Sequence, residues 1–318
     1  MPQNRDGTAM KRVVITIPAY NEEESIGRIV SGIHEVMKRL SYQYKIQVVD
    51  DGSTDKTAEE AKKANTTVIK HPKNYGLAET FRTEMKHAIA WNPDIIVHID
   101  ADEQYAPKDI PRLIKEVEAG NDLVLGDRFA GGIESMPWLK KLGNKAFSRA
   151  ISKITGSRVN DCQTGFRSFS KEVAERVKIT SHFTYTQEQI IRAVRQKYKI
   201  KEIPAYFHKR SVGKSKLMRG PIQYAVRAWI NILRIYRDYD PLKFFGRIGS
   251  MFIGLGLIIG IWLVYYATAF NAFLTTKLVS FRVGLNLLVL FIVLFIFTLP
   301  LPGLKVTLAI AFFLFPDT

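Results

Sequence analysis

The stretch Arg12–Met37, RVVITIPAYNEEESIGRIVSGIHEVM, decides how the rest of the chain is read. Val13–Ile17 is a β-branched apolar run that reads as a buried strand. Asn21 follows as a helix start, with Glu24 placed three residues on to complete a capping box. A buried strand that feeds a helix at once is the first half of a strand-helix-strand unit. The rhythm returns at Ile46–Val49, Thr67–Ile69, Ile95–Ile99 and Leu123–Leu125, with further helix starts at Asp55 and Pro107. Repetition of that unit predicts an α/β fold whose mainly parallel sheet is covered on both faces. Ligands in such sheets bind beyond the carboxyl ends of the strands, which directs attention to the residues just after each run.

Those residues carry chemistry. Pro18, Ala19, Tyr20, Asn21 and Glu22 follow the first run, and Asp50, Asp51, Gly52, Ser53, Thr54 and Asp55 follow the second. Tyr20 offers a ring for stacking on a base, and Asp50 or Asp51 can accept hydrogen bonds from base or ribose. After the fourth run, IDADEQY sets Asp100 and Asp102 two residues apart with Gln104 next in step. Two hard oxygen donors suit Mg²⁺ or Mn²⁺. Asp-x-Asp alone is a weak pattern. A second match, Asp238 and Asp240, lies in a basic segment and reads as helix-end or interfacial charge. Position separates the two, since a strand-terminal pair can hold a metal against a diphosphate bound across neighbouring strand ends. Lys73 in HPKNYG and Arg128 in GDRF follow the third and fifth runs and place cations within reach of phosphate oxygens.

The 318 residues carry 46 Lys and Arg against 30 Asp and Glu, a net charge of +16, and 47% are apolar, which excludes a disordered chain. A mean hydropathy of −0.04 conceals two unlike halves. Uncharged runs of 29 residues (248–276) and 22 residues (283–304) reach about 43 and 33 Å as helices, against a hydrocarbon core of about 30 Å. They predict two membrane spans, about 248–274 and 283–302, in a transmembrane domain 244–318 that also holds a short third apolar segment. Residues 195–247 contain 14 Lys and Arg and three acids. Within them Ile222, Val226, Trp229, Leu233 and Tyr236 recur at helical spacing, which predicts interfacial helices over 220–243 in the headgroup layer. Nucleic acid fits this charge less well, because no recognisable binding motif accompanies it. Residues 1–9 read as a leader that lacks the apolar core of a signal peptide, leaving 10–219 as the polar domain. The positive-inside rule then predicts that this domain is cytoplasmic. Cys162 is the single cysteine, so a disulfide framework and a multi-cysteine metal site are excluded.

Taken in order, IPAYNEEESI, VVDDGSTDKT, NYGLAET, HIDADEQY, LGDRF, DCQTGFRSF and HKRSVGKSKL resemble the family 2 glycosyltransferases, and more closely the dolichol-phosphate mannose synthases among them. The resemblance runs from about Lys11 to Arg247. It implies a GT-A type domain with a nucleotide-sugar donor contacted by Pro18, Ala19, Tyr20, Glu22 and Asp50, a set extended here to Asp51, Lys73, Gly76 and Ala101. It implies a metal on Asp100, Asp102 and Gln104, and phosphate contacts from Arg128, Arg210, Ser215 and Lys216. Asp102, Arg128, Arg210 and Lys216 are the expected catalytic group. The implied reaction is inverting transfer of mannose from GDP-mannose to dolichyl or polyprenyl phosphate at the cytoplasmic membrane face.

A phosphate acceptor is already an anion at neutral pH, so such a reaction needs no general base, only cations that align two anionic partners. The run Lys209, Arg210, Gly213, Lys214, Ser215, Lys216 suits a loop that folds over phosphates. The nearest alternative is a UDP-glucose-dependent polyprenyl-phosphate glucosyltransferase; the non-enzyme alternative is a membrane-tethered binder of sugar nucleotide or anionic lipid. A processive polysaccharide synthase fits less well, since a Gln-x-x-Arg-Trp motif is lacking. The chain departs from the family at Gln163, Thr164, Gly165, Phe166 and Arg167, where Thr-Ser-Gly-Phe-Arg is common. There Arg167 is expected as a structural ion-pair partner and Phe166 in the core. His71, His98 and His208 are not spaced as a metal set and are expected to pack or lie at the surface.

Overall fold

The computed structural model describes residues 10–181, 184–210, 240–269 and 284–290, together with Val226, Trp229, Ile230, Leu233, Arg234, Tyr236 and Arg237. Strands β1 (Arg12–Ala19), β2 (Gln43–Asp50), β3 (Thr67–Lys70), β4 (Ile95–His98), β5 (Leu123–Asp127), β6 (Arg167–Ser170) and β7 (Ile200–Pro204) form one sheet in the order β3-β2-β1-β4-β6-β5-β7. All five apolar runs are strands within it. β1 to β4 pair in parallel, and β7 runs parallel to β5. β6 alone is antiparallel, slotted between β4 and β5.

The connecting helices are α1 (Ile26–Met37), α2 (Thr57–Lys63), α3 (Leu77–Ala90), α4 (Ile110–Glu118), α5 (Arg128–Gly131), α6 (Trp138–Thr155), α7 (Lys171–Arg176) and α8 (Thr186–Arg195). α1 buries Ile26, Ile29, Val30, Ile33 and Met37, one helical stripe laid on the apolar sheet face. Fully burying each such side chain stabilises the fold by about 1.5–3 kcal/mol. Pro107 opens a 3₁₀ turn that leads into α4, as expected. Asp55 also keeps its place, its Oδ1 accepting from the Thr57 N–H at the start of α2.

Two sequence expectations fail for a physical reason. Asn21 does not cap α1, which begins at Ile26. Its backbone takes φ of 54° and its Oδ1 accepts from Thr54 N, so the loop after β1 is stitched to the loop after β2 instead. Arg167 is not an ion-pair partner: it is fully buried and donates to the carbonyls of Thr164, Thr186 and Cys162 and to Gln189 Oε1. Its strand, RSFS, lacks an apolar run, and its polar groups are satisfied one by one. Ser168, for example, donates to the Leu113 carbonyl.

The chain divides into two compact units, Met1–Ile232 and Leu233–Thr318. In the second, α9 (Pro241–Ala269) has an 18-residue stretch within Pro241–Tyr266 of mean hydropathy 2.1 and is long and apolar enough to cross a membrane. Asp240 lies at its start and accepts from Lys243 N, the helix-end role read for it; Asp238 lies outside the described residues. Residues 284–290 are helical; the remainder of the second expected span and all of the third segment lie outside the described residues.

Candidate active site

The register of the sheet brings the motifs together. Ala19 pairs with Asp50 and Thr16 with His98, so β1, β2 and β4 end side by side along one edge. The loops beyond them are tied by hydrogen bonds from Asn21 N to Ser53 Oγ (2.9 Å) and from Glu22 N to Thr57 Oγ1 (2.8 Å). Pro18, Tyr20 and Glu22 are half-buried on this edge and Ala19 is buried.

Asp50 and Asp51 diverge. Asp50 is fully buried, its Oδ1 accepting from Ser53 N. Its Oδ2 accepts no hydrogen bond among the described residues, and Lys70 Nζ stands 3.7 Å away. A buried carboxylate oxygen without a hydrogen bond is costly, and a donor group from a ligand would satisfy it. Asp51, in contrast, spends both oxygens on the neighbouring loop: Oδ1 meets His71 Nδ1 and Tyr75 N, and Oδ2 accepts from Gly76 N. Gly52 (φ of 73°) lies so close to Lys73 that a Cβ there would sit 2.4 Å from the Lys73 carbonyl carbon. Only glycine permits that approach, which fixes the backbone of Lys73 and leaves its side chain exposed.

Asp100 and Asp102 follow β4. Burial, and then the charge of Asp100, push the Asp102 carboxyl up to about 6, while Arg210 pulls the other way. Arg210 Nη2 donates to Asp102 Oδ2 at 2.6 Å and Nη1 to Glu22 Oε1 at 3.1 Å. Gln104 is held at both ends of its peptide and at its amide: Nε2 donates to the His208 carbonyl, and the Gln104 carbonyl accepts from His208 N. Its Oε1 accepts no hydrogen bond among the described residues and could serve as an oxygen ligand. Among the described residues no group of three His, Cys, Asp or Glu side chains is gathered for a metal. Two repelling carboxylates plus an amide oxygen nevertheless fit a Mg²⁺ or Mn²⁺ ion that draws its other ligands from water and a diphosphate.

Arg128 opens α5 directly after β5, but its fork is already occupied. Nε and Nη2 donate to Asp161 at 2.6 and 2.8 Å, and the pair is buried. The guanidinium carbon also lies over the Phe207 ring, 5.1 Å from its centroid. Ser215 and Lys216 lie outside the described residues.

Three residues were not anticipated. Lys140, half-buried in the first turn of α6, has its pKa held low by burial and then by Arg128, against the pull of Asp102 and Asp100. Asp161 anchors Arg128. Gly165 packs directly beneath Asp100, where a Cβ would lie 2.1 Å from Oδ2. Gly165 is fixed in turn by His98, whose Nδ1 lies 2.7 Å from the Gly165 carbonyl and whose Nε2 faces Glu84 at 3.2 Å. His98 and His71 are thus packing residues, as expected, and Phe166 is in the core. DCQTGFR supplies both anchors, so its sequence signal was present. What the sequence could not show was that Asp161 and Gly165 address different partners.

A pattern characteristic of glycosyl transferase family 2 matches residues 14–178. A dolichyl-phosphate hexose transferase of Haloferax volcanii is 32% identical over 208 residues, 64% of this chain and 86% of the relative. A dolichol-phosphate mannosyltransferase of Pyrococcus furiosus is 31% identical over 249 residues, 75% of this chain and 68% of the relative. Among solved structures, glucosyl-3-phosphoglycerate synthase of Mycobacterium tuberculosis in complex with Mn²⁺, UDP and glucosyl-3-phosphoglycerate shares the fold, with a TM-score of 0.55 at 18% identity over 72% of this chain and 80% of that one. The sheet is therefore the GT-A type that the motifs implied. Because the family pattern covers more than half of the chain and takes in every strand end that builds the cleft, the chain belongs to glycosyl transferase family 2.

Proposed function

We propose that this enzyme transfers mannose from GDP-mannose to the phosphate of dolichol or another polyprenol, with inversion at the anomeric carbon, at the cytoplasmic face of a membrane. The observation that carries the reading is Arg210, a cation at the start of the glycine-bearing run, bridging Asp102 and Glu22. It marks a cleft in which carboxylates meet a basic side chain, the arrangement that holding two anionic partners requires. A phosphate acceptor needs no general base.

In this reading Asp50, through its unused oxygen, and Tyr20 hold the nucleoside, with Pro18, Ala19 and Glu22 shaping the slot. Asp100, Asp102 and Gln104 would hold Mg²⁺ or Mn²⁺, which when bound supplies Lewis-acid neutralisation of the departing diphosphate. Arg210 exchanges its carboxylate partners for phosphate oxygens as the anions arrive. Arg128, oriented by Asp161, and Lys140 align the acceptor phosphate with the anomeric carbon, and Ser215 and Lys216 complete the clamp. Like-charged partners held in line by fixed cations gain most of their rate from positioning and electrostatics. The polyprenol-linked names of the relatives support the acceptor class, and the length and apolarity of α9 support the membrane. UDP-glucose is the second donor reading, favoured by the UDP in the solved neighbour.

Purified enzyme given a short-chain polyprenyl phosphate and each nucleotide sugar tests this directly. GDP-mannose should yield the inverted mannosyl phospholipid; faster turnover with UDP-glucose would replace the donor. Asp102→Asn should cut turnover by about 10³-fold with the unfolding temperature retained. Full activity in that variant would remove Asp102 from the chemistry.

A further inference from the structure

Helix α6 has two faces with different partners. Asn144, Phe147, Ser148 and Ile151 are buried against the domain, and Lys140 on the same side reaches the cleft. The opposite stripe, Trp138, Leu142, Lys145 and Arg149, is exposed, Trp138 by 75% and Leu142 by 54%. No acid occurs anywhere in its 18 residues, WLKKLGNKAFSRAISKIT, which also carry exposed Lys141 and Lys153. Below the stripe lies a hollow of about 460 Å³ lined by Lys145, Arg149 and Arg158 together with Ser148, Asn160 and Asp127. None of the three cations has an ion-pair partner among the described residues; Lys145 only overlies the Phe129 ring at 5.5 Å. The one acid there, Asp127, is buried and spends Oδ1 on the N–H groups of Phe129 and Ala130.

We propose that this stripe is a membrane-docking surface: Trp138 and Leu142 enter the headgroup boundary, and the hollow between Lys145, Arg149 and Arg158 takes the phosphate of an anionic phospholipid. Three observations select a lipid surface. Exposed aromatic and aliphatic side chains interleaved with unpaired cations on one helix face are what an interfacial helix presents. Three unneutralised cations round one hollow match a phosphodiester better than a zwitterionic surface. Phe147 of α6 also packs against Trp229 at 5.2 Å between ring centroids, which ties α6 to one residue of the segment whose apolar spacing reads as interfacial. The lipid-acceptor reading supplies the direction, since the first turn of α6 stands at the cleft that a lipid-borne phosphate must reach. Docked this way, the helix would hold that cleft at headgroup level.

The full chain in nanodiscs containing a headgroup-photoreactive phosphatidylglycerol provides the test. Wild type should cross-link within residues 138–158. The triple Gln variant (Lys145→Gln/Arg149→Gln/Arg158→Gln) should lose on the order of 100-fold in binding and most of that yield, because each cation near an anionic leaflet contributes about fivefold, and Lys145→Glu/Arg149→Glu/Arg158→Glu should lose more. Equal yields in wild type and the Glu variant, or equal yields when the photoreactive lipid is phosphatidylcholine, would overturn the docking. Protection by soluble glycerol phosphate at millimolar concentration would overturn it too, assigning the hollow to a soluble anion. Turnover in detergent on short-chain polyprenyl phosphate should be the same in all three proteins. A wild type that cross-links as expected but transfers no sugar would support the docking while sinking the transfer reading.

Discussion

Two sets of aspartates stand in this domain, and their oxygens are used differently. Asp51 and Asp161 are saturated by partners from their own fold: backbone N–H groups and His71 for one, the Arg128 fork for the other. Asp50 keeps a buried oxygen that has only the distant charge of Lys70 and no hydrogen bond among the described residues, and Asp102 is crowded by Asp100 and answered by an arginine from a distant part of the chain. The first set holds loops in place; in the second, Asp50 has an oxygen without a hydrogen bond, and Asp102, bonded to Gln104 N and Arg210, carries a charge that Asp100 opposes. A motif such as DDGSTD therefore mixes one residue of each kind, and the sequence does not say which is which.

The largest effect that would sharpen this division comes from the saturated set. Asp161→Asn leaves the Arg128 guanidinium buried beside a neutral amide, a change that costs about 3–5 kcal/mol. In a domain of this size that should lower the unfolding temperature by about 10 °C, measurable by thermal scanning in detergent. An unfolding temperature unchanged by the substitution would mean that Arg128 finds another anion and that the anchor reading is wrong.

Next comes the contact between the sets. Gly165→Ala puts a methyl group 2.1 Å from Asp100 Oδ2, and the short carboxylate side chain must swing away. Displacement of a reacting-site group by about 1 Å costs on the order of 100-fold in rate, so turnover should fall by about that factor while the Mn²⁺ concentration for half-maximal activity rises. Thermal stability should barely change, because the carboxylate moves rather than the backbone. Gly143→Ala is the control: nothing lies within 4 Å of its added Cβ inside α6, and alanine favours a helix by about 1 kcal/mol.

How much of this was legible follows from the same physics. Apolar runs announced β1 to β5 because buried parallel strands must be apolar along their whole length. They were silent on β6, where Arg167 and Ser168 are buried through individual hydrogen bonds that leave no periodic trace. Asp100, Asp102 and Arg210 were found by position and resemblance, and the sheet register brings the first two to the same edge as Asp50. Lys140 went unnoticed because one lysine in KK at a helix start looks like any solvated charge, until folding turns it inward toward Arg128 and Asp102.

The smallest effect tests saturation away from the cleft. Glu188 in α8 has a buried side chain. Burial opposes its charge, but N–H groups of Ser181 and Thr180, the Thr180 hydroxyl and Arg192 outweigh that and hold its carboxyl below the ordinary glutamate range. Glu188→Gln removes the charge from these bonds and should cost about 1–3 kcal/mol near neutrality. A carboxyl lowered on folding contributes stability that is complete above the unfolded value, about 4.3, and drains away as pH falls through the lower folded value. The gap in unfolding temperature between wild type and Glu188→Gln should therefore be constant from pH 6 to 8 and narrow below about pH 4.3. A gap that widened on acidification would mean that Glu188 is protonated in the folded chain, and that burial rather than its partners governs the site.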